Sequence, residues 1–357
     1  MKILILKPSS LGDVVQALPV LRSLKQQLPQ SEVYWWIDSA LAPLLEDDPD
    51  LAGVVRFERR RWAAPPHWGE LWRSIRWVRR QSFEWVIDLQ CLARSGIFAW
   101  LANAGLTIGL DEPREAARMF YDVAARRPSF HTHAVDWYLR ILPLLGLTPS
   151  NNFSWLPVRS HVIETLRRKW PVDGRSWVLL QPGARWLNKR WSVESFALLA
   201  RQVLQRFPEN HIAILGGPQD TALGATIAGK AGPRCLDLTG QLSLPEMVEW
   251  IRLCQLMVTN DTGPMHVAAA LGKPVVALFG PTEPRRTGPY QQLDHVLQLA
   301  LPCIPCMSSR CHYEKPFECL RALPLERVFG AVQEQLTLPP ERRIHPAGPY
   351  PTPLPAG

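Results

Sequence analysis

Three short stretches of this 357-residue chain carry side chains able to move a proton or hold a phosphate, a fourth is a glycine turn, and each follows an apolar run. The first is Pro8-Ser9-Ser10-Leu11-Gly12-Asp13, set between the strand-like residues 2–7 and a helical pattern led by Val14, Leu18 and Leu21. Loops at the carboxyl ends of parallel strands open on the ligand crevice of an α/β sheet, so Asp13 is expected there, at a helix start. A carboxylate so placed has the chemistry of a general base. The competing reading is that Asp13 caps the helix and Gly12 permits the turn. The second stretch, Asn260-Asp261-Thr262-Gly263-Pro264-Met265-His266, again reads strand, loop, helix. Backbone N–H groups at the helix start, the Thr262 hydroxyl and the freedom of Gly263 suit phosphate oxygens. Asp261 would repel a phosphate, so its task is to orient loop amides or accept from a sugar hydroxyl. The third, residues 181–191 (QPGARWLNKRW), places Arg185, Lys189 and Arg190 on one loop, and neutralising a diphosphate takes one or two positioned cations. Arg190 reads as an ordinary surface residue. Leu215-Gly216-Gly217-Pro218 is the fourth, a glycine pair closing a strand.

Elements to position these loops are legible on both sides. Strand-like runs at residues 2–7, 32–38, 85–89 and 107–109 alternate with helical patterns, and runs at 177–181, 211–216, 256–259 and 274–279 repeat the theme. Such alternation predicts parallel sheets covered by helices on both faces. A hydrophobic content of 46% over this length supports two domains. The turn-rich residues 147–152 lie near the boundary, giving expected domains at 1–160 and 161–337. Leu325, Val328, Phe329, Val332 and Leu336 recur at helical spacing and predict a final amphipathic helix. Residues 338–357 are proline-rich without apolar periodicity and read as a disordered tail.

A formal charge of +8 points to an anionic partner without saying which. No apolar run approaches the roughly 20 residues that a membrane-spanning helix needs, and the N-terminal run is too short for a signal-peptide core. The expectation is a cytoplasmic protein, soluble or peripheral. Arginine and tryptophan mix between residues 59 and 80, and a helix over 69–81 would set Arg73, Arg76 and Arg80 beside Trp72 and Trp77, as in an interfacial helix on anionic lipid. The same helix read conservatively packs Leu71, Ile75 and Val78 on its own domain. No nucleic-acid-binding motif accompanies it. The absence of G-x-G-x-x-G after the first strand disfavours a Rossmann dehydrogenase. The acidic residues 47–50 (DDPD) read as a solvated turn and not a metal-binding element. Seven cysteines fit a reducing compartment, and Cys303, Cys306, Cys311 and Cys319 read as reduced thiols or as four thiolates for a structural zinc.

Together, Ser10-Leu-Gly-Asp13, Lys189-Arg-Trp191, Asp261-Thr-Gly263-x-x-His266 and Phe279-Gly-Pro-Thr282 stand in the order and approximate spacing of one family. The chain resembles the ADP-heptose:lipopolysaccharide heptosyltransferases, glycosyltransferase family 9, from residue 1 to about 336. Asp88-Leu-Gln90 and His133-Ala-Val-Asp136 are similar to that family's acceptor-domain landmarks. The resemblance implies an α/β fold of GT-B type, two Rossmann-like domains whose parallel sheets face an inter-domain cleft. It also implies inverting, metal-independent transfer of heptose from ADP-heptose, without a cofactor, to the lipid A–Kdo inner core of lipopolysaccharide. By position it makes Asp13 the general base and Lys189 the donor-phosphate lysine. Gln181, Gly183, Ala184, Gly217, Asp261, Thr262, Gly263 and His266 fall to the donor. Ser10, Gly12, Gln90 and Arg94 fall to the acceptor, with Arg94 standing where some members carry lysine. The implied partners are a nucleotide sugar, an anionic lipid-linked oligosaccharide and the inner face of the inner membrane, with no nucleic acid. The alternatives are a GT-B transferase using another nucleotide sugar and a noncatalytic nucleotide-binding protein, which would have no need of Asp13.

Overall fold

A continuous apolar run such as Ile3 to Leu6 suits only a strand covered on both faces, and all four of these residues are fully buried. In the computed structural model, which describes residues 1–59, 61–62, 64–112, 114–150 and 154–339, this run is the centre of the first of two parallel six-stranded sheets. The first sheet contains β1 (Lys2–Leu6), β2 (Glu32–Asp38), β3 (Gly53–Phe57), β4 (Trp85–Asp88), β5 (Leu106–Asp111) and β6 (Val123–Arg126). The second contains β7 (Ser176–Gln181), β8 (Asn210–Ile214), β9 (Cys235–Asp237), β10 (Leu256–Asn260), β11 (Val275–Phe279) and β12 (Val296–Gln298). Their orders, β3-β2-β1-β4-β5-β6 and β12-β11-β10-β7-β8-β9, are the same Rossmann order read from opposite edges. Two compact units divide between Pro157 and Val158.

Eight strands match the sequence reading; β3, β6, β9 and β12 were not foreseen, and these are the edges of the two sheets. Their burial explains the omission: β9 has no buried residue, and β3, β6 and β12 have one each, Val55, Ala125 and Leu297. An edge strand covered on part of one face carries no continuous apolar run for a pattern to reveal. The last helix, Leu325–Thr337, forms as expected and buries Val328, Val332 and Leu336. The proline-rich stretch from residue 340 lies outside the described residues.

Helix α1 (Leu11–Gln27) connects β1 to β2 and is buried along most of its length. One of its buried residues is a cation, and here the sequence reading of residues 47–50 needs correction. Asp48 is not solvated: its carboxylate is fully buried and takes both arms of Arg22, at 2.7 and 2.5 Å. Arg22 also reaches Asp50 at 2.6 Å and the carbonyl of Trp155 at 2.9 Å. Burial works against the Arg22 charge, but the two aspartates hold its pKa above the ordinary arginine value. An arginine fork can satisfy a buried carboxylate that would otherwise be excluded from an interior. The pair therefore fastens the acidic turn and the segment at Trp155 to α1. Replacing Arg22 by Met leaves Asp48 buried and unpaired, and should cost about 3–5 kcal/mol in denaturant unfolding; a double change of Arg22→Met with Asp48→Leu should recover much of that loss.

Candidate active site

The β1–α1 junction holds Asp13 by its neighbours' donors. Ser10 is the N-cap of α1, and both its backbone N–H (3.0 Å) and its hydroxyl (2.6 Å) donate to Asp13 Oδ2. Asp13 thus does cap the helix, which leaves its second role to be decided by chemistry. Gly12 is buried one residue earlier. Lys7, just past β1, is buried as well; its Nζ donates to the carbonyl of Leu89 at 2.8 Å and lies 4.9 Å from the centre of the Tyr138 ring. Burial disfavours the Lys7 charge, yet Tyr138, Asp13 and Asp88 hold its pKa above the usual lysine value, so a cation is kept in the field of Asp13.

Next to β1 in the sheet, β4 ends on Asp88, which is wholly buried. Its Oδ1 accepts from the N–H of Gln90 (2.8 Å) and of Cys91 (3.3 Å), and its Oδ2 from the Tyr121 hydroxyl (2.7 Å). Burial pushes the Asp88 pKa up, against these donors. The Asp88-Leu-Gln90 landmark is therefore a carboxylate bracing the loop that presents Gln90. Tyr121 reaches it because Gly109 has no Cβ: one built there would meet the tyrosine ring at 2.2 Å. Arg94 stands exposed in the first turn of α3 (Ala93–Ala102). His133 caps the following helix, its Nδ1 accepting from the N–H of Val135 at 3.2 Å.

In the second unit the loops after β7 and β10 meet, since those strands are neighbours. Lys189 Nζ lies 2.6 Å from Asp261 Oδ2, although 72 residues separate them, and both side chains are largely buried. The lysine also stands 4.6 Å from the centre of the Trp186 ring. Asp261 Oδ2 takes a second donor, the hydroxyl of buried Thr282, at 2.5 Å. Thr282 belongs to the quoted Phe279-Gly-Pro-Thr282 motif but had no role from sequence; its loop is held by Gln298 Nε2, which donates to the carbonyls of Gly280 and Thr282. Asn260 ties the two loops together, donating to the Pro182 carbonyl at 2.8 Å and accepting from the Trp191 N–H at 3.1 Å.

The remaining donor-side residues surround this pair. Gln181, Gly183 and Ala184 are buried, with Gln181 donating to the Gly183 carbonyl at 3.3 Å. Asp220, unassigned by sequence, accepts from the N–H of Gly217 at 3.1 Å and lies so close to Gly183 that a Cβ there would meet its carboxylate at 2.4 Å. Arg190 is not a solvated surface residue: it donates to the Ala184 carbonyl at 2.7 Å and lies 3.7 Å from Asp220, so it braces the loop. Arg185 is exposed. Thr262 is the N-cap of the helix Gly263–Ala270 and makes no side-chain capping bond, while His266 is buried one turn in.

The four clustered cysteines come near enough to influence one another. Burial, then the nearby Cys311, Cys303 and Cys306, push the Cys319 thiol up to about 11. Among the described residues no group of three or more His, Cys, Asp or Glu side chains is arranged to hold a metal ion.

Two Rossmann-like units, each with its charged and polar groups on the loops beyond its central strands, define an α/β fold of the GT-B type. The chain belongs to glycosyltransferase family 9 (heptosyltransferase), which it matches over residues 71–316. It is similar to the lipopolysaccharide heptosyltransferase 1 of Pseudomonas aeruginosa, 28% identical with 92% of each chain covered. Similarity extends to the lipopolysaccharide core heptosyltransferase OpsX of Haemophilus influenzae, at 24% identity over 83% of each. Among solved structures, a glycosyl transferase of family 9 from Veillonella parvula has the same fold with a TM-score of 0.80, 24% identity and 94% and 97% of the two chains covered. E. coli heptosyltransferase WaaC with ADP follows at 0.75, 21% identity and 94% and 100% coverage.

The hydroxyl of Thr282 makes a charge-assisted hydrogen bond in a buried place, and these contribute about 1.5–3 kcal/mol. Thr282→Val should lower unfolding free energy by about that amount, and Thr282→Ser should restore most of it, both read by urea denaturation.

Proposed function

We propose that this protein transfers heptose from ADP-heptose to the inner core of lipopolysaccharide, on a lipid A–Kdo acceptor, by a metal-independent inverting displacement with Asp13 as general base. One observation carries the reading: in each unit, the residues able to do this chemistry stand at the point where strand order reverses, Asp13 and Gln90 beyond β1 and β4, Lys189 and Asp261 beyond β7 and β10. That is where doubly wound sheets bind ligands. The relatives' names supply the substrate class, and the same fold in E. coli WaaC is known with ADP and with an ADP-2-deoxy-2-fluoro heptose.

In this reading an acceptor hydroxyl gives its proton to Asp13 as its oxygen bonds to the anomeric carbon. The bond from that carbon to the diphosphate breaks on the opposite side, its electron pair leaving with ADP, and the single displacement inverts the anomeric centre. Ser10 orients the carboxylate, while Gly12, Gln90 and Arg94 line the acceptor side. Lys189 has three N–H donors; Asp261 uses one, and the others serve the departing diphosphate. The amides that open the helix Gly263–Ala270 and the Thr262 hydroxyl add to this stabilisation. Gln181, Gly183, Ala184, Gly217 and His266 complete the donor side. The lipid-linked acceptor places the work at the inner face of the inner membrane, with the protein peripheral; among the described residues no helix is long and apolar enough to cross a membrane.

Initial rates with ADP-heptose and a matched core acceptor test the reading. Asp13→Asn keeps an oxygen for the Ser10 donors, so melting temperature and ADP affinity should hold while turnover falls about 10²–10⁴-fold. A near-normal rate would leave Asp13 as a cap alone. Lys189→Ala should cost about 2–4 kcal/mol of transition-state stabilisation, read from kcat/KM. Transfer should survive chelator; complete loss restored by Mg²⁺ would overturn metal independence. Turnover of another nucleotide sugar with none of ADP-heptose would overturn the donor assignment.

A further inference from the structure

Helix α2 (Trp68–Arg80) divides its residues between two tasks. Ile75 and Val78 are buried and Leu71 half-buried, which seats the helix on the first unit, and Trp77 meets Tyr34 edge-on. Everything else of size faces out. Trp68 and Trp72 are 52% and 53% exposed, and Arg73, Arg76, Arg79 and Arg80 are exposed beside them. Its single acidic residue, Glu70, is taken by Arg61 at 2.6 Å, and among the described residues no carboxylate pairs with the four arginines.

Exposed apolar side chains recur on the elements packed beside α2. That helix packs against α3, which exposes Ile97 and leaves Trp100 63% accessible, and α3 packs in turn against residues 114–120, where Met119 is 82% accessible. Isolated exposed apolar residues are ordinary, but three tryptophans, an isoleucine and a methionine on neighbouring elements, set among unpaired arginines, are not. A folding core would have buried the indoles, and a surface kept for solubility alone would have interspersed acids with the arginines.

We propose that α2, α3 and the segment around Met119 form a docking surface for an anionic lipid bilayer, with the indoles at the headgroup level and the arginines against lipid phosphates. Amphipathic side chains with apolar bodies and polar tips settle at that depth, and guanidinium groups pair with phosphate oxygens. The choice of lipid over another anionic partner rests on the proposed reaction, whose acceptor is membrane-bound. None of the residues changed below is among those assigned to the donor, the acceptor or the chemistry, so docking and chemistry can be separated by mutation.

The test is flotation of the full chain with vesicles of phosphatidylcholine, alone or mixed with phosphatidylglycerol. The wild type should bind the mixed vesicles and not the neutral ones, with affinity falling as salt rises. Arg76→Ala with Arg80→Ala should weaken binding about fivefold for each arginine and flatten the salt dependence. Trp72→Ala with Trp100→Ala should weaken binding while leaving the salt dependence as it was. Both variants change exposed side chains and should melt like the wild type and transfer sugar to a lipid-free core oligosaccharide at its rate. A wild type indifferent to phosphatidylglycerol would overturn the proposal, and so would variants that float as well as the wild type. Tighter capture by duplex DNA, lost in the same variants, would overturn it in favour of nucleic acid. If vesicle binding follows the expected pattern and no acceptor is ever glycosylated, the docking surface stands and the proposed function falls.

Discussion

The reversal of strand order in the middle of each sheet is the constraint on which the rest of this structure depends. Between β1 and β4, and again between β7 and β10, the chain leaves neighbouring strands in opposite directions. A gap opens beyond their carboxyl ends because no connection crosses it. Residues distant in sequence then arrive at one place: Lys189 and Asp261 form an ion pair across 72 residues because β7 and β10 are adjacent in the sheet. Lys7 reaches the carbonyl of Leu89 by the same geometry between β1 and β4.

Charge is admitted to the interior only with its partners. Asp48 is fully buried with the Arg22 fork, Asp88 with two backbone amides and the Tyr121 hydroxyl, and Asp261 with Lys189 and Thr282. Removing an ion from water without such partners would cost several kcal/mol, so each buried group also fixes the geometry of whatever satisfies it. The bracing falls on loops that carry the candidate chemistry. Asn260 locks the β7 loop to the β10 loop, Asp220 and Arg190 secure the glycine turns, and Gln298 holds the segment bearing Thr282. A loop so tied can present a lysine to a ligand without first losing conformational freedom, which is what preorganisation for a charged transition state requires. The arginines of α2 follow the opposite rule, exposed and without a carboxylate partner among the described residues, where their hydration costs nothing until a partner arrives.

The amino-acid order by itself determined the eight inner strands, the alternation with helices and the loops carrying Asp13, Lys189 and Asp261. Strands covered on both faces must be continuously apolar, and the loops that follow them must be polar, so both leave a pattern. It determined the family too, through four motifs read together in their order and spacing. Tertiary structure decided what depends on contact between distant residues. The four edge strands carry no pattern because their burial is partial and comes from one neighbour. Asp48 looked solvated because nothing near it in sequence is its counter-ion, which is supplied by α1 from 26 residues away. Thr282, Asp220 and Tyr121 are ordinary residue types whose roles exist only once a buried carboxylate or a glycine without a Cβ stands beside them. Trp100 and Met119 joined the surface of α2 for a like reason: sequence spacing relates residues on one helix, and only packing sets separate elements side by side.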